Sequence, residues 1–143
     1  MIINDKDERL IAVLRDNGRI SISDLARTLG ISRTSAQMRL EKLQRNGVIT
    51  GYGVRLSQDY LKSQVRALVM IKAPPPHRAS IELALTKLPD LTALYSISGM
   101  YDLTSVISAQ SVEELDNLID HIGNLEGVSD TMSSIILSTR IDR

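Results

Sequence analysis

Residues 20–48, ISISDLARTLGISRTSAQMRLEKLQRNGV, have the pattern of two short helices joined by a tight turn. Ser23 is a suitable N-cap for the first of these helices. Its apolar side is formed by Leu25, Ala26 and Leu29. Gly30 stands where a helix exit favours a left-handed residue. Ser32 then caps the second helix, which we predict to end at Gly47.

The second helix has two different faces. Its apolar stripe, at spacings typical of a buried helix side, is formed by Ala36, Leu40 and Leu43. Between Ser32 and Asn46 there are four Lys or Arg residues and one acid, Glu41, which gives a charge of +3. A capped helix with a buried stripe and a cationic outer face suits the major groove of DNA. The alternative is an ordinary solvated helix, but the helix–turn–helix spacing favours DNA.

We predict eight DNA contacts on this helix, in two groups. The residues predicted to lie near base edges are Arg33, Thr34, Ser35, Gln37 and Met38. The residues predicted to contact phosphates, which set register rather than sequence, are Arg39, Lys42 and Arg45. Arg19 and Ser21, before the first helix of the pair, are candidates for further backbone contacts. For each residue the alternative is an uninvolved surface side chain.

The net charge of zero is a cancellation between two halves of the chain. Residues 1–62 contain eleven Lys or Arg and seven Asp or Glu, whereas residues 63–143 contain six and ten. The halves therefore carry +4 and −4. Such an asymmetry is a sign that one half meets a polyanion.

Composition excludes several classes of protein. The absence of Cys rules out disulfides and thiolate metal sites, and four Tyr without Phe or Trp argue against base stacking. No apolar run approaches about 18 residues and the N-terminus is charged, so we expect a cytoplasmic protein with no membrane partner. His77 and His121 lack ligand spacing, and no phosphate-binding loop is present. We therefore expect no metal, no cofactor and no enzymatic activity.

The first half is predicted to be one small DNA-binding domain, residues 1–56. A first helix capped by Asn4 or Asp5 completes a three-helix unit. Its predicted core consists of Leu10, Leu14, Ile20, Leu25, Leu29, Leu40 and Leu43. Residues 51–56, GYGVRL, favour a strand or wing. The polar residues 57–64 are interpreted as a linker.

The second half, residues 65–143, repeats one pattern twice. The predicted strands are 65–73, 91–98, 101–109 and 128–138, and the predicted helices are 78–88 and 112–122. Two βαβ units of this size indicate a ferredoxin-like βαββαβ domain, so the whole chain is of the α+β class. Pro74, Pro75 and Pro76 are expected to lie outside both neighbouring elements. The strands are apolar on both faces, which predicts that a second copy covers the free face in a homodimer.

Both halves together resemble the Lrp/AsnC family of transcription regulators over nearly the full length. The resemblance is carried by Asp7–Ile11, Asp16–Ser21, Asp24–Ala26, Leu29–Ser32, Arg39–Leu43, Gly47–Ile49, Ser98–Leu103 and Leu125–Val128. It implies a winged helix–turn–helix and a ferredoxin-like regulatory domain, often called RAM. It also implies dimers that commonly assemble into octamers and bind small effectors, usually amino acids, between dimers.

The same resemblance implies effector contacts in two places. These are the loop residues Gly99, Met100, Tyr101 and Asp102, and the last-strand hydroxyls of Thr131, Ser133 and Ser134. A carboxylate such as Asp102 can hold an α-ammonium, while hydroxyls and loop N–H groups hold an α-carboxylate. The alternative is that Asp102 and Thr131 merely satisfy strand ends and turns. We thus predict a sequence-specific DNA-binding transcription regulator that responds to an amino acid, or alternatively a ligand-independent architectural DNA-binding oligomer.

Overall fold

The computed structural model describes residues 2–143, which divide into two units between Arg55 and Leu56. The first unit contains the helices α1 (Asp5–Asp16), α2 (Ile22–Leu29) and α3 (Arg33–Arg45). The second begins with the single-turn helix α4 (Gln58–Leu61). It continues with β1 (Val65–Lys72), α5 (Pro75–Thr86), β2 (Leu91–Ser96), β3 (Leu103–Ala109), α6 (Val112–Gly123) and β4 (Asp130–Ile135). Within residues 2–143 no helix is long and apolar enough to cross a membrane.

Side-chain caps begin the helices of the first unit. Asn4 caps α1 by accepting a hydrogen bond from the Asp7 amide at 2.9 Å, which decides between the two predicted caps. The prediction that Ser23 caps α2 was wrong. Ser21 performs this role, accepting from the amide of Asp24 at 3.1 Å, because the helix begins two residues earlier. Gly30 ends α2 with φ 66°, which confirms the predicted left-handed exit.

The three helices share one apolar core, and its predicted members are all found in it. Five side chains are buried: Leu10, Leu25, Ala26, Ala36 and Leu43. The other predicted core residues, Leu14, Ile20, Leu29 and Leu40, are partly buried against them. Removal of these side chains from water stabilises the unit by about 25 cal/mol per Å² of apolar surface. The core therefore fixes which face of α3 remains outside.

Residues 51–56 form neither helix nor strand, so the strand that was one alternative of the prediction is absent there. Two side-chain contacts connect this segment to the helices. Gln44 donates to the Tyr52 hydroxyl at 2.7 Å, and the Arg55 guanidinium donates to the Asp16 carbonyl at 2.8 Å. A strand needs a backbone partner, and these contacts supply only side-chain bonds. Helix α4 lies within the predicted linker and is capped by Ser57.

The second unit is an antiparallel sheet with strand order β2-β3-β1-β4, which confirms the ferredoxin-like prediction. Its core lies between the sheet and the two long helices. The buried side chains of the central strands are Ala67, Val69, Ile71, Leu103 and Ile107. They pack with Ile81 and Leu85 of α5 and with Leu115 and Ile122 of α6. Both helices therefore cover the same face of the sheet.

Helix α5 begins earlier than predicted, because two prolines form its first turn. Pro74 is the N-cap, and Pro75 and Pro76 occupy the first two helical positions. The prediction that all three lie outside the helix was therefore wrong. First-turn N–H groups have no partner within a helix, so proline loses nothing there and its fixed φ suits the helix.

The other face of the sheet is open and largely apolar. Strand register places Leu68 and Met70 of β1 on this face with Tyr95, Val106 and Met132. Leu68 is 39% exposed and Met132 is 48% exposed. An exposed apolar patch in the centre of a sheet is typical of an interaction surface.

Gly127 occupies a position where any side chain would be strained. Its φ is 92°, in a region that side chains rarely adopt, and a Cβ at this site would collide with the side chain of His77. The loop between α6 and β4 is thereby packed against the start of α5. This exclusion of a side chain explains why the segment Leu125–Val128, one of those that resemble the Lrp/AsnC family, contains a glycine.

We expect Gly127→Ala to lower the free energy of unfolding by about 2 kcal/mol or more, through backbone strain and this collision. Urea unfolding followed by circular dichroism measures the change. His77→Gly combined with Gly127→Ala should recover the part due to the collision, because the nearest colliding atom is the His77 Cβ, which alanine would retain. The matched control is Gly123→Ala, where the nearest atom, Thr131 Oγ1, is 3.9 Å from the new Cβ. Equal stability of the two glycine variants would contradict this account.

Candidate functional site

Four of the predicted DNA-contacting residues lie together on the first unit. Arg33, Thr34, Gln37 and Met38 line a shallow concavity of about 470 Å³ beside Ile22 at the start of α2. Met38 is 64% exposed, although it is a large apolar side chain. Exposed methyl groups and amides beside cations are the groups that read base edges in the major groove.

The remaining four predicted contacts are distributed around α3. Lys42 and Arg45 are exposed. Ser35 is half-buried, and its hydroxyl accepts a hydrogen bond from Ser32 at 2.9 Å, so it takes part in capping the helix. Arg39 is half-buried on another side, next to Lys6 and Arg9 of α1. The structure therefore brings part of the predicted set together and places Ser35 and Arg39 apart.

Glu41 orients one of the candidate base readers. The Gln37 side-chain amide donates to the Glu41 carboxylate at 2.7 Å across one helical turn. This bond leaves the amide oxygen and its second N–H free, which is the pair of groups that recognises adenine. Sequence reasoning placed Glu41 on the outer face without this role. The i, i+4 spacing of Gln and Glu was the available signal.

The cations of α3 have no acidic partner in the described part of the chain. The ion pairs of residues 2–143 are Arg27–Asp24, Lys62–Asp59 and Arg78–Asp102. Arg33, Arg39, Lys42 and Arg45 therefore present their charge to the surroundings. Unpaired cations on one helix attract phosphate.

In the second unit, the loop before β3 is joined to the start of β4. The Tyr101 hydroxyl donates to Asp130 Oδ2 at 3.4 Å, and the Thr131 amide donates to Asp130 Oδ1 at 2.9 Å. Partial burial, followed by the charge and hydrogen bond of Asp130, raises the pKa of Tyr101 above its ordinary value. Three polar groups, two of them predicted effector contacts, thus meet at one end of the sheet.

Asp102 has two protein partners. One carboxylate oxygen accepts from the Ala73 amide at 2.7 Å and the other from the Arg78 guanidinium at 3.0 Å. Arg78 also donates twice to the Ala73 carbonyl, at 3.1 and 3.2 Å. The carboxylate therefore ties the end of β1 to the beginning of α5. Sequence reasoning missed Arg78, because a pairing across 24 residues leaves no local signal.

The other predicted effector residues are exposed or divided between two faces. Met100 is 82% exposed, and Gly99 turns the loop with φ 128°. Thr131 and Ser133 pair with Ile71 and Val69 and so lie on the helix-covered face, whereas Ser134 pairs with Leu68 on the open face.

In addition, no group of three or more His, Asp or Glu side chains in residues 2–143 could hold a metal ion.

Comparison with known families assigns DNA binding to the first unit and ligand binding to the second. Residues 3–50 match a winged helix–turn–helix DNA-binding family, and residues 66–143 match the Lrp/AsnC ligand binding domain. The fold and these two family matches define a transcription regulator with a DNA-binding and a ligand-binding unit. The chain belongs to the Lrp/AsnC family, which confirms the resemblance seen in the sequence.

Individual relatives agree with this assignment. The HTH-type transcriptional regulator LysM of Sulfurisphaera tokodaii is 31% identical over 137 residues, covering 94% of this chain and 95% of the relative. The structure of E. coli AsnC matches with a TM-score of 0.86 at 26% identity, covering 100% of this chain and 97% of that one. A transcriptional regulator from Neisseria meningitidis, solved as a complex with L-Met, has the same fold. Its TM-score is 0.87 at 20% identity, with 99% and 94% coverage. The Sulfurisphaera tokodaii and Neisseria meningitidis proteins are transcriptional regulators, and this chain, as a member of the Lrp/AsnC family, is one as well.

Proposed function

We propose that this protein is a sequence-specific DNA-binding regulator that works as a homodimer or larger assembly and responds to an amino acid. The observation that carries the proposal is the exposed cationic face of α3 in a chain whose second unit is a ligand-binding domain. DNA recognition and effector response are then assigned to separate units.

The DNA-binding role is supported by the construction of the first unit. The core holds the Ala36 and Leu43 side of α3 inward, so the face with Thr34 and Met38 is outward. Helix α3 is of the diameter that the major groove admits. Lys42 and Arg45 supply phosphate contacts, which give affinity, while Gln37 supplies a bidentate group that gives specificity.

The homodimer is supported by the open sheet face. Leu68, Met70 and Met132 form an apolar surface that two-fold symmetry makes self-complementary, because the same strands meet in both copies. Covering this face would remove apolar surface from water in each copy. An octamer of four such dimers is the larger assembly that membership of the family suggests.

The effector role is supported by the polar groups at the end of the sheet. The loop residue Tyr101 bonds to the Asp130 carboxylate at the start of β4, and its neighbour Asp102 accepts from the Ala73 amide. The Neisseria meningitidis regulator of the same fold was solved with L-Met. An amino acid carries an ammonium and a carboxylate, which such groups bind. We assign Asp102 a double role, as the anchor of the loop through Arg78 and as a charge for the ligand.

The mechanism follows from the assembly. A dimer or ring of dimers presents several copies of α3, so DNA binding gains from simultaneous engagement. An amino acid bound in the second unit shifts DNA affinity only to the extent that it prefers one assembly over another.

A ligand-independent architectural protein is the second candidate, and one observation favours it. Both oxygens of the Asp102 carboxylate already accept hydrogen bonds from the protein, as a purely structural residue would. Such a protein would share the DNA face and the sheet dimer but would show no response to amino acids.

We expect Lys42→Gln to weaken binding to duplex DNA and to reduce the slope of log K against log salt by about 0.9, because one phosphate contact is lost. Fluorescence anisotropy of a labelled duplex between about 50 and 200 mM NaCl measures the slope. Lys87→Gln, which makes the same change in the second unit, is the matched control and should bind as wild type does. Identical slopes for both variants would remove Lys42 from the interface.

We expect Leu68→Asp to convert the dimer into monomers, because it places a carboxylate in the centre of the open sheet face. Sedimentation velocity measures the assembly. Leu83→Asp is the matched control, since Leu83 is 60% exposed on α5 and lies outside this face. A Leu68→Asp protein that sediments like wild type would exclude the sheet face as the interface.

We expect at least one of the twenty amino acids to raise the melting temperature, because a ligand that binds only the folded state stabilises it. Asp102→Asn should abolish the rise, whereas Arg78→Met, which breaks the ion pair but keeps the carboxylate, should retain part of it. Loss of the rise in melting temperature in both variants would show that Asp102 only orders the loop. The absence of any shift in the wild-type protein would favour the architectural alternative.

A further inference from the structure

A second cationic surface lies beside the turn between α2 and α3. Lys6 and Arg9 of α1 and Arg39 of α3 line a concavity of about 250 Å³ over Leu29, Gly30 and Ile31. We call it the flank pocket. Only Arg39 among its cations is part of the predicted DNA-contacting set. The floor is apolar and its rim is positively charged.

No carboxylate within the described residues 2–143 forms an ion pair with the cations of this pocket. None of its three cations has an acidic oxygen within 4.0 Å. The acids of the first turn of α1 form no ion pair with them, and Asp7 is buried and bonded to Asn4. Like charges around a small concavity repel one another, and their combined field favours an anion there.

The flank pocket lies on a side of α3 different from the candidate base-reading concavity. Arg39 follows Met38 by one residue and therefore points about 100° away around the helix. The two concavities share no residue. When a helix occupies the major groove, about 12 Å wide, sugar–phosphate backbones lie on both sides of it. Cations at the flank of α3 are placed to meet one of these backbones.

We propose that the flank pocket is a phosphate site, in which Lys6 and Arg9 together with Arg39 bind the DNA backbone beside the groove that receives α3. The pocket extends the interface onto α1, which sequence reasoning did not include. The proposal rests on the proposed function, because it requires α3 to enter the groove. The proposed ligand of the pocket is a phosphate group of the DNA duplex.

The test uses Arg9→Gln and Lys6→Gln in the full-length protein, with salt-dependent binding to a duplex of arbitrary sequence. Each variant should lower the slope of log K against log salt by about 0.9. Arg15→Gln is the matched control, because Arg15 belongs to the same helix, is exposed and lies outside the pocket. Its slope should equal that of wild type. Circular dichroism and urea unfolding establish that all variants fold.

Three other results would overturn the proposal, and they are distinguishable. An unchanged slope in Arg9→Gln and Lys6→Gln together with a reduced slope in Lys42→Gln would leave the proposed function intact and remove the pocket from the interface. Stabilisation by inorganic phosphate or pyrophosphate that requires Arg9, without any change of DNA slope, would make the pocket a site for a soluble phosphate. A wild-type protein without salt-dependent DNA binding would overturn the proposed function as well.

Discussion

The ion pair between Arg78 and Asp102 joins the end of β1, the loop before β3 and the first turn of α5 in the second unit. Asp102 accepts from the Ala73 amide, directly after the end of β1, and its own amide donates to the Ile71 carbonyl at 3.0 Å. The Arg78 guanidinium, on α5, donates a hydrogen bond to the same carboxylate. Because the loop before β3 and the first turn of α5 are held by one side chain, the geometry of the candidate effector site depends on this contact. Any ligand that engages Asp102 therefore also acts on the end of the sheet.

The two halves of the chain carry opposite net charges and use their charged side chains differently. The first unit leaves the cations of α3 unpaired, which keeps its surface positive at the cost of mutual repulsion. The second unit uses its charges locally, as in Arg78–Asp102 and in the bond from Tyr101 to Asp130. The net charge of zero is therefore the sum of two parts: a cationic surface that can bind a polyanion, and a domain whose charged side chains hold loops in place. Charge placement, more than charge total, separates the two functions.

Much of this fold could be predicted because local patterns determine it. Helical spacing marked the apolar side of α3, Gly30 marked a turn, and the repeated strand–helix–strand pattern gave the order of the sheet. The errors have local physical causes as well. Ser21 and Ser23 both suit an N-cap, and only the position of the helix decides between them. Prolines interrupt a helix everywhere except in the first turn, where Pro75 and Pro76 lie.

The parts that could not be predicted are long-range contacts. Arg78 meets Asp102, and Arg9 approaches Arg39, only after the chain has folded. Sequence therefore indicated the types of residue that bind DNA and an effector but not the whole of either surface.

The separation of roles has a thermodynamic consequence. If an amino acid bound in the second unit changes DNA affinity, DNA must change the affinity for that amino acid by the same factor. Such coupling requires an element with two arrangements, and the open sheet face provides one, since Leu68 and Met132 can be covered or exposed by association. The effector need not touch α3 or move any residue within the first unit. It has only to bind better to one state of assembly, because the number of copies of α3 presented together then sets the affinity for DNA. Under the proposed function, association through the apolar sheet face is the step at which ligand binding and DNA binding are coupled.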